Sequence, residues 1–232
     1  MKHRRRSLPQ STYLTDYDGV DSLENFRLTK ELHEYRRFLL RKSGNEKNFI
    51  ERVAADGAEN FFEIGCGNGR LLIALHGKRR TLLGIDVSRS RIEFANKWVE
   101  DERLDGVAFE VCDIFEMTKQ RRWSGMFDVV ICNSSVVTLF DAIRPGGTDK
   151  VLRFVSRSLR PGGVFIVHLH FPLAVRSLGD GEVLRTWQEF PSPDPWRFCL
   201  NDIERTGNFI VWKKKFIKRE PPITIDEDRC TF

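Results

Sequence analysis

Three glycines at alternate positions, Gly65, Gly67 and Gly69, follow an apolar run in the stretch NFFEIGCGNGRLL, which begins at Asn60. Glycine lacks a side chain and adopts backbone angles that other residues avoid. A loop this rich in glycine lets the main chain approach a ligand closely. The pattern therefore predicts a ligand-binding loop between the end of a strand and the start of a helix.

The spacing of these glycines excludes a dinucleotide fingerprint. That fingerprint is G-x-G-x-x-G, in which the third glycine lets the helix pack closely on the strand. Counted from Gly65 the third position is Arg70, and counted from Gly67 it is Leu72. The loop instead has the form E-x-G-x-G-x-G, which starts at Glu63. A nicotinamide or flavin dinucleotide is therefore not the predicted ligand.

A second candidate for chemistry is the pair His168 and His170, which flank Leu169. Alternate residues of a strand share one face, so both imidazoles are predicted to lie together near the end of a strand. Imidazole titrates near neutral pH, so either histidine could take a proton from a hydroxyl or an amine. The alternative is that they are edge residues hydrogen-bonded to a neighbouring loop. No carboxylate or third ligand lies nearby in sequence, so no metal site is predicted.

The elements that position these residues alternate between strand and helix. Apolar runs predict five strands, and the helical stretches between them each have one apolar face. Strands that are apolar almost throughout are buried on both faces, which is typical of a parallel sheet covered by helices. The predicted fold is a doubly wound α/β domain over residues 45–171, and ligands bind such folds at the carboxyl ends of the strands. The predicted strands are NFFEIG, TLLGIDV, VAFEVCD, FDVVICN and VFIVHLH.

Four further motifs follow the glycine loop in order: GIDVS, CDIFE, FDVVICNSS and LRPGGVFIVHLH. Together with E-x-G-x-G-x-G they cover about residues 60–170. In these motifs the chain resembles the class I S-adenosylmethionine-dependent methyltransferases. The resemblance implies a mostly parallel Rossmann-like sheet, S-adenosylmethionine as the cofactor, and methyl transfer to an oxygen, nitrogen or carbon atom of an acceptor.

The resemblance also implies a role for each polar residue of the motifs. Asp86 would bind both ribose hydroxyls, Asp113 and Ile114 would frame the adenine, and Asn133 with Ser134 would flank the methionine part. The alternative for each carboxylate taken alone is that it caps the following helix. Cys66 and Cys132 are expected to be small buried residues and not nucleophiles. The predicted cofactor-binding residues are Glu63, Gly65, Cys66, Gly67, Asn68, Gly69, Asp86, Val87, Asp113, Ile114, Asn133 and Ser134.

The two ends of the chain do not follow the strand and helix alternation. Residues 1–44 are predicted to form a loose arm, in which Tyr13 and Tyr17 could close over the cofactor, followed by a helical pattern that starts at Asp21. Residues 172–232 lack a long helical pattern and are predicted to be β-rich, with a hairpin at Gly207. Aromatic residues there would form a lid over the acceptor or, alternatively, a small separate core: Trp187, Phe190, Trp196 and Phe198.

The resemblance implies seven strands, and this tail does not contain a convincing helix followed by two strands. Either the tail hairpin supplies the last strands of the sheet, or it is the lid and the final unit is absent. We expect the second arrangement, in which the fifth strand is an exposed apolar edge. This arrangement also leaves open the alternative that the chain is a truncated domain, which binds the cofactor without catalysing methyl transfer.

The net charge and the turn after the fourth strand limit the classes of methyl acceptor that the sequence predicts. The net charge is +5 with a pI near 9.0, but much of the excess lies in short runs, which are usually solvated. Enzymes that methylate base amines carry an N-P-P-Y turn after the fourth strand, where this chain has NSSV. A small-molecule acceptor is therefore predicted, and RNA methylation is the disfavoured alternative.

The remaining sequence features suggest the compartment. The five cysteines include no C-x-x-C pair, which argues against a disulfide scaffold or a zinc site. No run of about 18 apolar residues could span a bilayer, and no apolar segment follows the basic start of the chain. A cytoplasmic protein without a membrane span is expected. The oligomeric state is not predicted.

Overall fold

The computed structural model describes residues 19–169 and 177–220, and it describes residues 225–231 as backbone. His170, Tyr13 and Tyr17 lie outside the described residues. The described chain contains a parallel sheet covered by helices on both faces and a separate antiparallel sheet.

The parallel sheet has five strands in the order β3-β2-β1-β4-β5, and every pair is parallel. The order reverses direction next to β1, which is the point at which doubly wound sheets bind ligands. The predicted α/β fold is therefore confirmed. The strands are β1 (Asn60–Ile64), β2 (Thr81–Asp86), β3 (Val107–Val111), β4 (Phe127–Cys132) and β5 (Leu159–Val167).

Two helical layers cover the sheet, and consecutive residues of β1 show why its sequence is apolar throughout. Phe61 packs on one face with the layer that contains α1, α3 and α4. Phe62 packs on the opposite face with the layer that contains α5, α6 and α7. The helices are α1 (Thr29–Lys42), α2 (Gly44–Val53), α3 (Arg70–Leu75), α4 (Arg89–Glu102), α5 (Ile114–Met117), α6 (Leu139–Ile143) and α7 (Gly147–Ser158), and short 3₁₀ turns are Leu23–Asn25, Arg121–Trp123 and Val136–Thr138.

Helix α1 is fixed to α4 by a buried arginine. The Arg36 side chain is 2% exposed, and its Nη1 lies 2.9 Å from Asp101 Oδ2. Its guanidinium also lies over the rings of Phe94 and Trp98, at 5.6 and 5.5 Å from their centroids. Paired charge and aromatic faces offset the cost of burying the guanidinium. The C-terminal half of α1 is thereby fixed beside the edge of the sheet where the glycine loop lies.

Two predicted boundaries were wrong. The helical pattern predicted from Asp21 onward is interrupted, because residues 23–25 form a separate 3₁₀ turn and α1 begins at Thr29, where the Glu31 carboxylate accepts from the Leu28 N–H. The fifth strand was predicted to start at Val164, but α7 ends at Ser158 and leaves Leu159 outside the helix. Strand β5 starts at once because Leu159 pairs with Phe127, and the Pro-Gly-Gly that follows is absorbed in a register shift of this pair.

The antiparallel sheet has the order β6-β7-β8-β9, and within the described residues none of its strands pairs with β5. The predicted hairpin at Gly207 joins β7 and β8. Strand β5 is therefore an edge of the parallel sheet in the part of the chain described here. The strands of the antiparallel sheet are β6 (Val183–Glu189), β7 (Trp196–Thr206), β8 (Phe209–Lys218) and β9 (Ile225–Thr231). No helix among the described residues has the length and apolar character that a bilayer crossing requires.

Candidate functional site

The glycine loop is held against the end of β2 by its own main chain. The N–H groups of Gly65 and Cys66 both donate to the Ile85 carbonyl at 2.9 Å. The N–H of Gly67 donates to Asp86 Oδ2 at 2.8 Å. These bonds draw the loop across the carboxyl end of the neighbouring strand, so the loop and Asp86 form one surface.

The third glycine of the loop has a packing role. Gly69 precedes α3 with a φ of 77°, and an added Cβ would lie 2.6 Å from the Phe109 ring and 2.9 Å from the Ala95 Cβ. By contrast, a Cβ at Gly67 would meet nothing closer than the Arg91 guanidinium at 3.8 Å. Gly69 therefore lets α3 approach the sheet closely, whereas Gly67 leaves its side of the loop open.

Two adjoining cavities lie at this edge of the sheet, and Gly65, Asp86 and Val136 line both of them. The large cavity has a volume of about 340 Å³. The second is an apolar slot of about 30 Å³. All the predicted cofactor residues except Gly69 and Asp113 line one or both. Those that line the large cavity are Glu63, Gly65, Cys66, Gly67, Asn68, Asp86, Asn133 and Ser134, and those that line the apolar slot are Gly65, Asp86, Val87 and Ile114.

The two predicted residues outside the cavities have structural contacts. Asp113 Oδ1 accepts from the Phe115 N–H at 2.8 Å, so this side chain caps α5. That is the alternative role considered from sequence, and the cap fixes Ile114 at the apolar slot. Contact between Asp113 and adenine stays a prediction. Gly69 supports the site through packing, as described above.

Asp86 joins the two cavities. Its Oδ2 accepts from the Gly67 N–H, and its Oδ1 accepts from the Ser88 N–H at 2.9 Å. A carboxylate oxygen has two lone pairs, so each oxygen can accept one more hydrogen bond. The two backbone donors fix the orientation of the carboxylate and leave it able to bind a pair of hydroxyl groups.

Glu63 places an unsatisfied carboxylate oxygen in the wall of the large cavity. The residue is 2% exposed, and among the described residues its Oε2 has no hydrogen-bond partner. Burial raises the pKa of Glu63 to about 8, although the charge of Arg70 acts in the opposite direction. A buried acceptor without a partner is costly, so a bound group that donates a hydrogen bond or carries a positive charge would relieve it. The α-amino group of S-adenosylmethionine fits this requirement.

A polar network links α2 to the ends of β4 and β5. The Glu46 carboxylate is bound by Arg70 and accepts from Asn133 Nδ2 at 3.0 Å. Asn133 Oδ1 lies 2.7 Å from His168 Nδ1. His168 follows β5, its side chain is exposed, and it does not line either cavity. The structure thus brings His168 to Asn133, and its role as a base stays a prediction.

Sequence reasoning missed the opposite wall of the large cavity, apart from Phe190 and Trp196. It comes from the loop before α1, from α1 itself, from α4 and from the antiparallel sheet. Trp196 ties two of these parts together, because its Nε1 donates to the Val20 carbonyl at 2.8 Å. We call this wall the acceptor side and the glycine loop with Glu63 and Asp86 the cofactor side. The acceptor side consists of Val20, Asp21, Tyr35, Leu39, Lys42, Arg91, Phe190, Asp194, Trp196 and Phe216.

The predicted aromatic residues of the tail separate into two groups. Phe190 and Trp196 line the large cavity, where Phe190 stacks on Phe216 with centroids 6.2 Å apart. Trp187 is 66% exposed and contacts Phe198, and neither lines the cavity. Within the described residues no group of histidines, cysteines and carboxylates could hold a metal ion.

Comparisons with known proteins identify the family of the domain that contains this site. Residues 55–190 match the family model described as a methyltransferase domain. Trans-aconitate 2-methyltransferase from Paracidovorax citrulli (strain AAC00-1) is 25% identical over 170 residues, which are 72% of this chain and 58% of that protein. The chain spans about half the length of the curated relatives it matches.

Solved structures share the fold at low identity. The S-adenosylmethionine-dependent methyltransferase from Clostridium acetobutylicum ATCC 824 aligns with a TM-score of 0.60 and 16% identity, over 91% of this chain and 77% of that one. CalS10 is an amino pentose methyltransferase from Micromonospora echinaspora, solved with S-adenosylmethionine bound. It aligns with a TM-score of 0.57 and 17% identity, over 89% of this chain and 81% of that one. Because the family model covers more than half of the chain, the chain belongs to the class I S-adenosylmethionine-dependent methyltransferase family.

Proposed function

We propose that this chain catalyses transfer of a methyl group from S-adenosylmethionine to a small organic acceptor. One observation carries the proposal: a single cavity has Asp86 and the glycine loop on one side and aromatic residues of the antiparallel sheet on the other. A donor and an acceptor held in one cavity react as if at very high concentration, which is the main contribution of a protein to such a transfer.

The cofactor side supplies a suitable contact for each part of S-adenosylmethionine. Asp86 would accept from the two ribose hydroxyls with the lone pairs that Gly67 and Ser88 leave unused. The apolar slot is too small to enclose adenine, but its lining residues Val87 and Ile114 offer apolar surface on which one side of the ring would pack. Glu63 would bind the α-amino group. These assignments satisfy the buried carboxylate oxygen that the protein itself leaves without a partner.

The chemistry that the cofactor supplies is a methyl group on a positively charged sulfur, which is a reactive donor without further activation. What remains for the protein is to orient the acceptor, exclude water and stabilise the charge that moves to the acceptor. The acceptor side is suited to this task, because Trp196 and Phe216 are almost fully buried and present aromatic surface to the cavity.

His168 is the candidate base if the acceptor is a hydroxyl group. Its Nδ1 lies against the side-chain amide oxygen Oδ1 of Asn133, which can only accept, so in the neutral ring the proton is on Nδ1 and the lone pair is on Nε2. Removal of an acceptor proton would therefore use Nε2. His170, its predicted partner, lies outside the described residues.

Two measurements test the proposal. Calorimetric titration with S-adenosylhomocysteine measures binding on the cofactor side alone, and we expect one site per chain. Incubation with methyl-labelled S-adenosylmethionine and a broad metabolite extract measures transfer, and we expect label in at least one small product. Binding without labelled product in any extract would indicate a cofactor-binding domain without activity. Absence of binding would refute the proposed cofactor site itself.

A further inference from the structure

The acceptor side contains two buried carboxylates with different partners. Asp21 is neutralised, since its Oδ1 accepts from the Tyr35 hydroxyl at 3.1 Å and its Oδ2 lies 2.8 Å from Arg91 Nε. Asp194 is 8% exposed, and its side chain accepts one hydrogen bond, from the Trp196 N–H to Oδ1 at 3.0 Å. Asp194 forms no ion pair among the described residues. Among the described residues, the other oxygen of Asp194, which lines the large cavity, accepts no hydrogen bond.

The surroundings of Asp194 favour a positive charge. Burial raises the pKa of Asp194 to about 6, and the nearby charge of Asp21 acts in the same direction. The carboxylate is therefore still mostly ionised at pH 7. Lys42 also lines the cavity, but its side chain is exposed, so water satisfies it. The charges of Lys42 and Arg219 oppose the rise in the pKa of Asp194, and Arg219 Nε donates to the main-chain carbonyl of Asp194 at 3.2 Å and not to its carboxylate. A buried carboxylate that forms no ion pair is stabilised further by positive charge that a ligand carries or develops.

Aromatic rings line the same cavity as this carboxylate. Trp196 is two residues along the chain, and its ring lies 5.7 Å from that of Phe216, on which Phe190 stacks. Aromatic faces attract cations and also bind the apolar body of an organic molecule. A carboxylate next to aromatic faces is an arrangement that recognises an amine with an apolar skeleton.

We infer that the methyl acceptor is an amine, and that Asp194 binds its nitrogen between the aromatic residues of the acceptor side. This inference rests on the proposed function and specifies its substrate class. Asp194 lies in the large cavity with Asp86 and Glu63, so a nitrogen bound there shares the cavity with the cofactor side. The carboxylate would accept an N–H hydrogen bond from the amine.

The reaction balances without a protein base. The acceptor enters as the neutral amine, having lost its proton to water, and its lone pair forms the new nitrogen–carbon bond. The bond between the methyl carbon and sulfur breaks, and its electron pair stays on sulfur as a thioether. Positive charge thus passes from sulfur to nitrogen, and the product is a methylammonium ion that releases its proton to water. Asp194 is suited to stabilise this charge as it develops on nitrogen.

The charge of the labelled product tests the inference. Unreacted S-adenosylmethionine, which is itself cationic, is first removed by chromatography, and the products from the labelled-methyl incubation are then separated by cation exchange at about pH 5, where amines are retained. NMR of the retained product identifies whether the labelled methyl group is on nitrogen, because a methyl ether or ester of an amine would also be retained. We expect the label in the retained fraction. Label confined to neutral or anionic products would overturn the amine assignment and leave the proposed methyl transfer intact. Absence of label in every fraction would overturn both.

The variant Asp194→Asn tests the residue. Asparagine keeps an oxygen for the Trp196 N–H but lacks the charge, so the fold should be preserved. We expect labelling of the retained product to fall roughly ten- to hundred-fold, which corresponds to loss of a hydrogen bond to a charged group. Affinity for S-adenosylhomocysteine should stay unchanged. The matched control is Asp202→Asn on β7, whose exposed carboxylate pairs with Arg185 outside the cavity, and it should label at the wild-type rate.

Two results would contradict the role of Asp194. One is labelling by Asp194→Asn at the level of Asp202→Asn, which would show that the nitrogen is bound elsewhere. The other is an equal loss of S-adenosylhomocysteine affinity and of labelling, which would assign Asp194 to the cofactor side. Binding of an acceptor analogue provides a readout that needs no turnover. Benzylamine, added with S-adenosylhomocysteine, should bind more tightly than benzyl alcohol, and this preference should vanish in Asp194→Asn.

Discussion

The cofactor side and the acceptor side of the large cavity are built in different ways. The cofactor side takes Glu63, the glycine loop and Asp86 from two adjacent parallel strands and the turn between strand and helix. The acceptor side takes its residues from parts of the chain that are far apart in sequence, such as Asp21 and Asp194. One side is therefore specified by local spacing and the other by tertiary packing.

The largest effect is expected from Gly69→Ala, which affects both sides. The new Cβ would clash with Phe109 and Ala95 and would occupy a left-handed backbone conformation. Strain and overpacking together should lower the free energy of unfolding by about 2–5 kcal/mol. Gly67→Ala is the matched control, since it has the strained φ without the clash, and should cost about 1–2 kcal/mol. Urea unfolding measures both, and equal losses would refute the packing role of Gly69.

The variant Asp86→Asn should affect binding on the cofactor side alone. The amide keeps one oxygen for a backbone N–H but cannot accept from both ribose hydroxyls and both backbone donors. Affinity for S-adenosylhomocysteine should fall roughly ten- to hundred-fold. Calorimetric titration measures this, and Asp202→Asn again serves as the control. An unchanged affinity would remove Asp86 from the cofactor side.

Glu63→Gln should have a smaller effect that depends on pH. Burial raises the pKa of Glu63 to about 8, whereas a glutamate in the unfolded chain titrates near about 4.3. Between these values the folded state retains a proton that the unfolded state has lost, so the free energy of unfolding falls as pH rises through this window. Glu63→Gln should therefore be more stable than the wild type at pH 8 and similar to it at pH 4.

The same variant tests the contact between Glu63 and the amino group. Binding an ammonium group favours the ionised carboxylate, so the affinity of the wild type for S-adenosylhomocysteine should increase from pH 6 to pH 8. The increase should be absent in Glu63→Gln. A parallel increase in both proteins would mean that another group is responsible.

His168→Ala is expected to have the smallest effect. The residue is exposed and does not line the cavities, so affinity for S-adenosylhomocysteine should not change. If the acceptor is an amine, labelling should fall less than about threefold, because no base is needed. General base catalysis contributes about 10²-fold or more. A loss of that size would favour a hydroxyl acceptor with His168 as base and would contradict the amine assignment.

The difference between the two sides explains how much the sequence could predict. Glu63, Gly67 and Asp86 were predicted from local motifs that resemble those of the family, and they lie together because the carboxyl ends of parallel strands meet at one edge. Asp21 and Asp194 were not predicted, because no spacing in the sequence indicates that residues 20–21 meet the antiparallel sheet. Their local patterns indicate only a turn.

The boundaries of strands and helices could also not be predicted fully, because they too depend on tertiary contacts. The β5 strand was predicted from its apolar run, but its start at Leu159 depends on pairing with Phe127, which the sequence does not reveal. The role of Gly69 was predicted as ligand contact, and its proximity to Phe109 depends on how α3 meets β3. The glycine at position 69 indicated that a side chain could not be accommodated there. The structure shows that the reason is close packing against Phe109 and Ala95.

The hydrogen bond from Trp196 to the Val20 carbonyl joins residues 176 positions apart, so it closes a loop that contains the entire parallel sheet. Contacts of such long range form late in folding, because the chain entropy lost on closure is regained only when the enclosed structure is already formed. The parallel sheet can thus assemble first, and the acceptor side is completed last. In amide hydrogen exchange, the main chain around Val20 and Trp196 would accordingly exchange before that of β1 and β4.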